Sequence, residues 1–563
     1  MIRDLDEHRG ELPAYDLCIV GSGPAGTTLA AELVGSGLRV AVLESGRLEV
    51  SDHGDRLREV ESEGIHVKEY SRERVLGGTS TTWAGLAAPL DTIDFERRPW
   101  LAHSSWPIPR AELVPYWEEA AERYRFPAAT FFDPGGEFGE LRRRGEFRPR
   151  WEGLEEKIFL AATPPQNFGR EWRHVFEGED VDAWLDATVV ELVPDAGGER
   201  IEAARVRTRS ARELLVRSKV FVLATGGLEN ARLLLNSTAL SPAGLGNEHD
   251  QVGRYLMNHP KNYHGIVRLA GPRGDLPFYY GCLFQGFAGY AGLRLDEVTQ
   301  REKELLNSYV RFEPLFPWTD SEGVEALVLL VKRSAFLMRR WTRGRKDEVV
   351  ALRDYSETGD DSDLQNARKS WGEWLALLFA IPRDLPRVLH YLKYRLLSRR
   401  KPPLERVRLR NFMEMEPSPE NRVIVSEERD ALGARRAVVR HDTTTLDRRS
   451  LVELHAVLAR ELEAQGFGHL ETSLEAALAE GARWPIDQEA SHHLGTTRMG
   501  EDPETSVVDP HQRVHSVHNL FVAGGSVFPT SGCANPTYTI VALSIRLARH
   551  LREEVFAADW STR

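Results

Sequence analysis

Apolar positions along this chain fall into short runs with two periods. Tyr15-Asp-Leu-Cys-Ile-Val20 and Arg39-Val-Ala-Val-Leu43 are β-branched and nearly continuous, which predicts strands covered on both faces. Between them, Thr27-Thr-Leu-Ala-Ala-Glu-Leu-Val34 has helical spacing. The same alternation of strand and helix returns at Val220-Phe-Val-Leu-Ala224 followed by Leu228-Glu-Asn-Ala-Arg-Leu-Leu-Leu235. It returns again at Asn519-Leu-Phe-Val-Ala523 followed by Tyr538-Thr-Ile-Val-Ala-Leu-Ser-Ile-Arg-Leu-Ala548. Elsewhere Glu112 to Tyr124 reads as a helix, and Arg422-Val-Ile-Val-Ser426 and Arg436-Ala-Val-Val-Arg440 alternate as half-buried strands. No run of about 18 apolar residues occurs, the nearest being Trp374 to Ile381, so hydropathy predicts no membrane-spanning helix. The charged start, Met1-Ile-Arg-Asp-Leu-Asp-Glu-His8, lacks the apolar core of a secretory signal, and the expected location is the cytoplasm. No internal repeat is evident.

The chain has 563 residues, 41% of them hydrophobic, with 73 Lys+Arg against 85 Asp+Glu and a net charge of −12. That length allows about two to four domains. The acidic balance argues against a dedicated nucleic-acid binder, which needs cations to displace the counterions of a phosphate backbone. Cys18, Cys282 and Cys533 are too few and too scattered for a disulfide framework or a thiolate metal cage, and no metal site is expected.

Chemistry enters where the first strand meets its helix. Gly21-Ser-Gly23-Pro24-Ala25-Gly26 follows the strand directly, and the second strand ends in Glu44-Ser45. Three glycines serve a tight turn, a close approach of backbone to a pyrophosphate, and close helix-to-strand packing. A carboxylate about twenty residues on can accept ribose hydroxyls. The motif therefore predicts a dinucleotide, with NAD and FAD left open. Gly77-Gly78-Thr79-Ser80-Thr-Thr82-Trp83-Ala84-Gly85 is suited to backbone contact with a flavin ring and its phosphates, though any such stretch taken alone can be a polar loop. Ala224-Thr225-Gly226 returns the chain to the same sheet. Near the C-terminus lie Ser491-His492-His493-Leu-Gly495-Thr-Thr-Arg-Met-Gly500 and Gly524-Gly525-Ser, then Ala534-Asn535-Pro536-Thr537 ahead of the last helix. A lone histidine is usually structural; here it stands near a turn whose N–H groups suit an electron-rich ring edge.

These motifs, together with Val252-Gly-Arg-Tyr-Leu-Met-Asn-His259-Pro260, resemble the glucose–methanol–choline (GMC) family of FAD-dependent oxidoreductases along the whole chain. The likeness is greatest to the branch of pyranose oxidases and bacterial glycoside oxidases, because the second catalytic position reads Asn535 rather than His. The resemblance implies an α/β Rossmann-type FAD domain and an α+β substrate domain with an antiparallel sheet roofing the flavin. The expected boundaries are 1–89, 177–260 and 491–563 for the first, and 90–176 and 261–490 for the second. It implies that His492 and Asn535 are the catalytic pair, and that His493 has no proton-transfer role. His259 is expected to tie the cofactor domain to its neighbour. FAD contacts are implied for Gly21, Gly23, Pro24, Ala25, Gly26, Glu44, Ser45, Gly77, Gly78, Thr79, Ser80, Thr82, Trp83, Ala84, Val189, Ala224, Thr225, Gly226, Gly525, Asn535, Pro536 and Thr537. Fungal pyranose oxidases attach flavin covalently through a histidine at the place of Thr82; threonine cannot make that bond, so the FAD is expected to be non-covalent.

The implied activity is oxidation of a secondary hydroxyl of a sugar or glycosylated small molecule to the ketone. His492 would take the hydroxyl proton, the hydride would pass to flavin N5, and electrons would continue to oxygen or a quinone. Trp83, Tyr279, Tyr280, Phe284 and Tyr290 are candidates for stacking on such a substrate. Residues 332 to 410 carry roughly twenty Lys/Arg against about ten Asp/Glu, opposing the sign of the whole chain. This basic helical insertion, spanning about 326–410, fits a solvated cover over the active-site mouth. It also fits a surface that lies on an anionic membrane or docks an acidic partner. A membrane-associated dehydrogenase, a lyase on the same scaffold and a non-catalytic flavoprotein are the competing readings.

Overall fold

The two apolar runs near the N-terminus pair in parallel, Leu17 opposite Val40 and Val20 opposite Leu43. They do so in a computed structural model that describes residues 1–144, 147–274, 276–333, 371–398, 402–479 and 481–557. Val40–Leu43 is buried throughout, as a strand covered on both faces must be. The parallel order runs Ile2–Asp4, Val181–Leu185, Val40–Leu43, Tyr15–Val20, Glu213–Leu223, with Leu520–Val522 beyond. The first half of the long strand Glu213–Leu223 leaves this sheet to pair antiparallel with Ile201–Arg207, which pairs in turn with Thr188–Pro194. Helices Pro24–Glu32 and Thr537–His550 cover the parallel strands; the second buries Val541, Leu543, Ile545 and Leu547 and donates from the Tyr538 hydroxyl to Trp117 of helix Arg110–Tyr124 at 2.8 Å.

A second, antiparallel sheet is ordered Gly468–Glu471, Ile266–Arg273, Leu404–Phe412, Tyr309–Pro314, Phe287–Leu295, Leu154–Ala162, Leu86–Ala87. Lys261–Asn262 pairs at the end of Leu404–Phe412. Both sheets that the sequence predicts are therefore present. Alternation divides the antiparallel one: Val310, Phe312, Val407 and Leu409 join Leu451, Leu454 and Leu458 of helix Thr445–Ala464 in one core. Tyr309 and Phe412 stack on the other face with ring centroids 4.5 Å apart.

One strand expectation needs correction. Arg422–Arg429 and Arg435–His441 do form an antiparallel hairpin, but it joins Glu61–Gly64 in a separate three-stranded sheet rather than the antiparallel roof. Polar bonds hold it to helix Glu229–Asn236. Arg232 donates to the Arg435 carbonyl at 2.8 Å, and the Arg435 N–H donates to Asn236 at 2.9 Å. Of the basic insertion, helices Glu322–Arg333, Trp371–Arg383 and Leu385–Leu392 are described, whereas residues 334–370 and 399–401, with the acidic tract, lie outside the described residues. No described helix is long and apolar enough to cross a membrane.

Candidate active site

The strand-to-helix turn after Val20 opens one end of a cavity of about 320 Å³. Gly21 takes φ +102°, a conformation that favours glycine, and a Cβ on Gly26 would run into the Gly21 carbonyl. Gly23 differs: nothing lies within 4 Å of a Cβ built there, so its face borders open cavity. Helix Pro24–Glu32 starts at Gly23 without a side-chain cap, leaving first-turn N–H groups for an anion. Glu44 accepts from the Ser22 N–H at 3.1 Å, the Ser22 hydroxyl at 2.5 Å and the Gly46 N–H at 2.7 Å. Burial lifts its carboxyl above the ordinary range against the pull of these bonds. A turn, an open glycine face, a free helix start and an anchored acid are the parts a dinucleotide pyrophosphate and ribose require.

At the other end the C-terminal motifs converge. His492 Nδ1 lies 2.8 Å from His259 Nδ1, and His259 Nε2 lies 2.8 Å from the Gly532 carbonyl oxygen. A carbonyl can only accept, so His259 carries its proton on Nε2 and its Nδ1 presents a lone pair. His492 must then donate from Nδ1, which leaves the lone pair of His492 on Nε2, 3.4 Å from the Asn535 amide nitrogen. Burial holds His259 down at about 4. Burial first, then His259 and Lys261, holds His492 well below the usual 6.5. Both rings are neutral at neutral pH. Asn258 fixes the two backbones, accepting from the His259 N–H at 2.8 Å and the His492 N–H at 3.1 Å, while its own amide donates to Glu489 at 2.6 Å. His493 is turned aside onto Glu489 at 3.0 Å.

Known proteins resemble this chain. The GMC oxidoreductase family model matches residues 417–544. The 6'''-hydroxyparomomycin C oxidase of Streptomyces lividus is 25% identical across 97% of this chain and 92% of its own. The C-glycoside 3-oxidase of Arthrobacter globiformis is 52% identical across 12% of this chain and 13% of its own. Among solved structures, the formate oxidase of Aspergillus oryzae, from work on its FAD modification, superposes with TM-score 0.53 at 15% identity, covering 98% of this chain and 100% of that one. Residues 417–544 carry the C-terminal domain of GMC oxidoreductases. With relatives that are oxidases and dehydrogenases, this domain makes the chain an enzyme acting on CH–OH groups and implies FAD as its cofactor.

Nearly all the residues expected around FAD line the one cavity, from Gly21, Gly23 and Glu44 through Ser80, Trp83, Val189 and Thr225 to Gly525, Asn535 and Thr537. Gly26 and Gly77 do not. They stand behind its wall, where a Cβ on Gly77 would run into the backbone of Gly169. Of the expected stacking aromatics, Trp83 and Tyr290 line the cavity, but Tyr279, Tyr280 and Phe284 pack in the core behind the antiparallel sheet. Tyr279 spends its hydroxyl on Glu156 at 2.6 Å. The cavity is also lined by residues that the sequence did not single out. Arg72 and Arg74 reach Glu229 at 2.6 and 2.9 Å, and these two cations with Arg232 hold the Glu229 carboxyl at about 2 despite its burial. Lys261, Arg311, Arg410 and Phe412 line the cavity from the antiparallel sheet. For Arg410 the signal was an arginine at every second residue, Arg406, Arg408 and Arg410, on the face opposite Val407 and Leu409; Arg311 and Lys261 stand in no such run.

Proposed function

We propose that the enzyme oxidises a secondary hydroxyl of a sugar or glycosylated small molecule to the ketone, with FAD bound without a covalent link. The observation that carries this reading is the chain Gly532 carbonyl, His259, His492, Asn535, which leaves a base lone pair and an amide donor side by side in one cavity. FAD, when bound, supplies the two-electron acceptor for the hydrogen leaving the alcohol carbon. His492 Nε2 accepts the hydroxyl proton, and Asn535 donates to the same substrate oxygen as negative charge develops on it. His259 keeps the His492 proton on Nδ1, so that Nε2 stays free. His492 needs no prior deprotonation, because its surroundings hold it neutral.

The cofactor would be held by the N–H groups at the start of Pro24–Glu32, by Glu44 at a ribose, by the backbone of residues 77–85, and by the start of Thr537–His550. Thr82 donates its hydroxyl to the Thr79 carbonyl at 3.2 Å and offers no group for a flavin bond. Residues 1–89, 177–260 and 491–563 are assigned to the cofactor unit and 90–176 and 261–490 to the substrate unit, with the hairpin at 422–441 moved to the former by its bonds to Glu229–Asn236. Sugar rather than simple alcohol is favoured by the sugar-related oxidases among the relatives and by the branch signature at Asn535.

A second reading concerns the electron acceptor. Leu378, Phe379, Leu389 and Leu397 are exposed beside Arg383, Arg387 and Lys393, a mixture that suits the headgroup region of a membrane and delivery of electrons to a quinone. Both readings are tested by following the visible flavin band anaerobically while adding sugars, glycosides and simple alcohols, then admitting air or a soluble quinone. Bleaching by a glycoside with recovery in air supports an oxidase, and recovery with quinone alone supports the dehydrogenase. Acid precipitation should leave all the yellow colour in the supernatant; a coloured pellet contradicts the non-covalent assignment.

A further inference from the structure

The backbone pairing that carries His492 opens between two bridged points. Met257 bridges Leu494 and Lys261 bridges Gln488, so Asn258 to Pro260 lie opposite the longer segment Glu489 to His493. Such a bulge breaks the ladder, and its buried backbone donors need other partners. Ser491 takes φ +61°, a conformation uncommon for serine, and the rings of His259 and His492 meet in the gap. The His259 and His492 N–H groups both donate to the Asn258 side chain, at 2.8 and 3.1 Å. An atom that receives two N–H groups is the amide oxygen, so the Asn258 NH2 faces the other way, where it meets Glu489 at 2.6 Å. Glu489 is 1% exposed and precedes the cavity-lining run Ala490 to Leu494. Its further partners also donate: the Lys68 N–H at 2.9 Å to one oxygen, and His493 Nε2 at 3.0 Å to the oxygen that Asn258 uses. Three donors on two oxygens suit a carboxylate that carries no proton. Burial would raise its pKa, but His493 and the Lys68 N–H hold it well below the ordinary range. Lys68 leads into Tyr70 to Arg74, which line the cavity, so one carboxylate ties that segment to the base.

We infer that Glu489 is a positioning residue for the reaction: acting through the Asn258 amide, its carboxylate fixes where His492 presents Nε2 to the cavity. The inference rests on the reading of His492 as the base for alcohol oxidation and deepens it. In Glu489→Gln the new amide has a single oxygen, so either Asn258 and His493 or the Lys68 N–H faces a second donor. Asn258 then turns or shifts, and the two histidine backbones move with it. The double variant Asn258→Asp with Glu489→Gln reverses the direction of the bond. Its new carboxylate accepts from both histidine N–H groups and from the new amide, whose oxygen remains for the Lys68 N–H, while the other tautomer of His493 accepts the second amide hydrogen.

The test uses the full-length enzyme, loaded with FAD to matched content, and times anaerobic flavin reduction by a sugar that bleaches the wild type. Glu489→Gln should lower the limiting rate about 10- to 100-fold, the scale of loss when a reacting group is misplaced by up to about 1 Å. The half-saturating concentration should stay within about twofold, since the loss falls on the transition state. Asn258→Asp alone sets two carboxylates where 2.6 Å now separates donor from acceptor, and should lose at least as much. The double variant should regain about tenfold or more over either single variant, the coupling expected of two residues in one hydrogen-bond network. If Glu489→Gln does not hold FAD, Asn258→Ser takes its place, because it leaves the carboxylate to His493 and Lys68 and removes only the link. A limiting rate equal to wild type in the variant used, or a double variant no faster than the singles, overturns the inference. A second readout needs no turnover. In histidine labelled with ¹⁵N, the His492 Nδ1–H resonance, identified by its loss in His259→Phe, should weaken through exchange with water in Glu489→Gln and return in the double variant; an unchanged resonance overturns the inference. If no sugar reduces the wild-type flavin while the resonance responds in this way, the oxidation reading fails and the positioning stands.

Discussion

Replacing His259 tests the proton arrangement at the centre of the site. In His259→Phe the His492 Nδ1–H loses the acceptor now 2.8 Å away, and the Gly532 carbonyl loses its donor. A buried donor left without a partner costs about 1–3 kcal/mol. His492 can avoid that cost by moving its proton to Nε2, the atom we propose receives the substrate proton, so the cost falls on catalysis. At about 1.4 kcal/mol per factor of ten, reduction should slow by about 5- to 150-fold. Stopped-flow measurement of anaerobic flavin reduction, at matched FAD content, should show the loss in the limiting rate and little in the half-saturating concentration. His259→Asn returns an acceptor oxygen near the lost Nδ1 and should recover part of the rate. Wild-type reduction by His259→Phe with full FAD would refute the tautomer argument.

Three further outcomes follow from the same geometry. Gly23→Ala adds a Cβ into open space and should fold normally but bind FAD poorly, whereas Gly26→Ala meets the Gly21 carbonyl and should lower the unfolding temperature itself; flavin content and thermal scans separate the two. In the proposed mechanism His492 acts in its neutral form, and burial, His259 and Lys261 all lower its pKa, so flavin reduction should persist as pH falls through 6.5 and decline only well below it. Lys261→Met removes one of those influences and should move the acid limb upward, as a pH series of reduction rates will read. Asn535→Ala should slow reduction by about 10²- to 10³-fold, the typical cost of losing a donor to a developing oxyanion, with flavin content retained.

The cofactor half of the site was legible because its chemistry is local. The turn Gly21 to Gly26 and the acid at Glu44 sit on consecutive elements, and the structure places them around one cavity end. The hairpin Arg422 to His441 was legible as strands but not as part of a particular sheet, because a period of two fixes which side chains share a face and leaves the partner strand open. Tyr279 and Tyr280 were misjudged for a related reason: an aromatic reads the same in sequence whether its ring lines a cavity or fills a core. The bond from His259 to His492 joins residues 233 apart, and no spacing rule could have paired them. The pairing of Arg311 with Arg410 was hidden as well, since the two become neighbours only through strand register.

The central claim is that His492 is the base for alcohol oxidation, and one comparison tests it most directly. Wild-type enzyme and His492→Ala, each loaded with FAD to the same content, are mixed anaerobically with a sugar that bleaches the wild-type flavin, and single-turnover reduction is timed. The account predicts a loss of about 10²- to 10⁴-fold in the variant with flavin binding unchanged. Equal rates in the two proteins would contradict it.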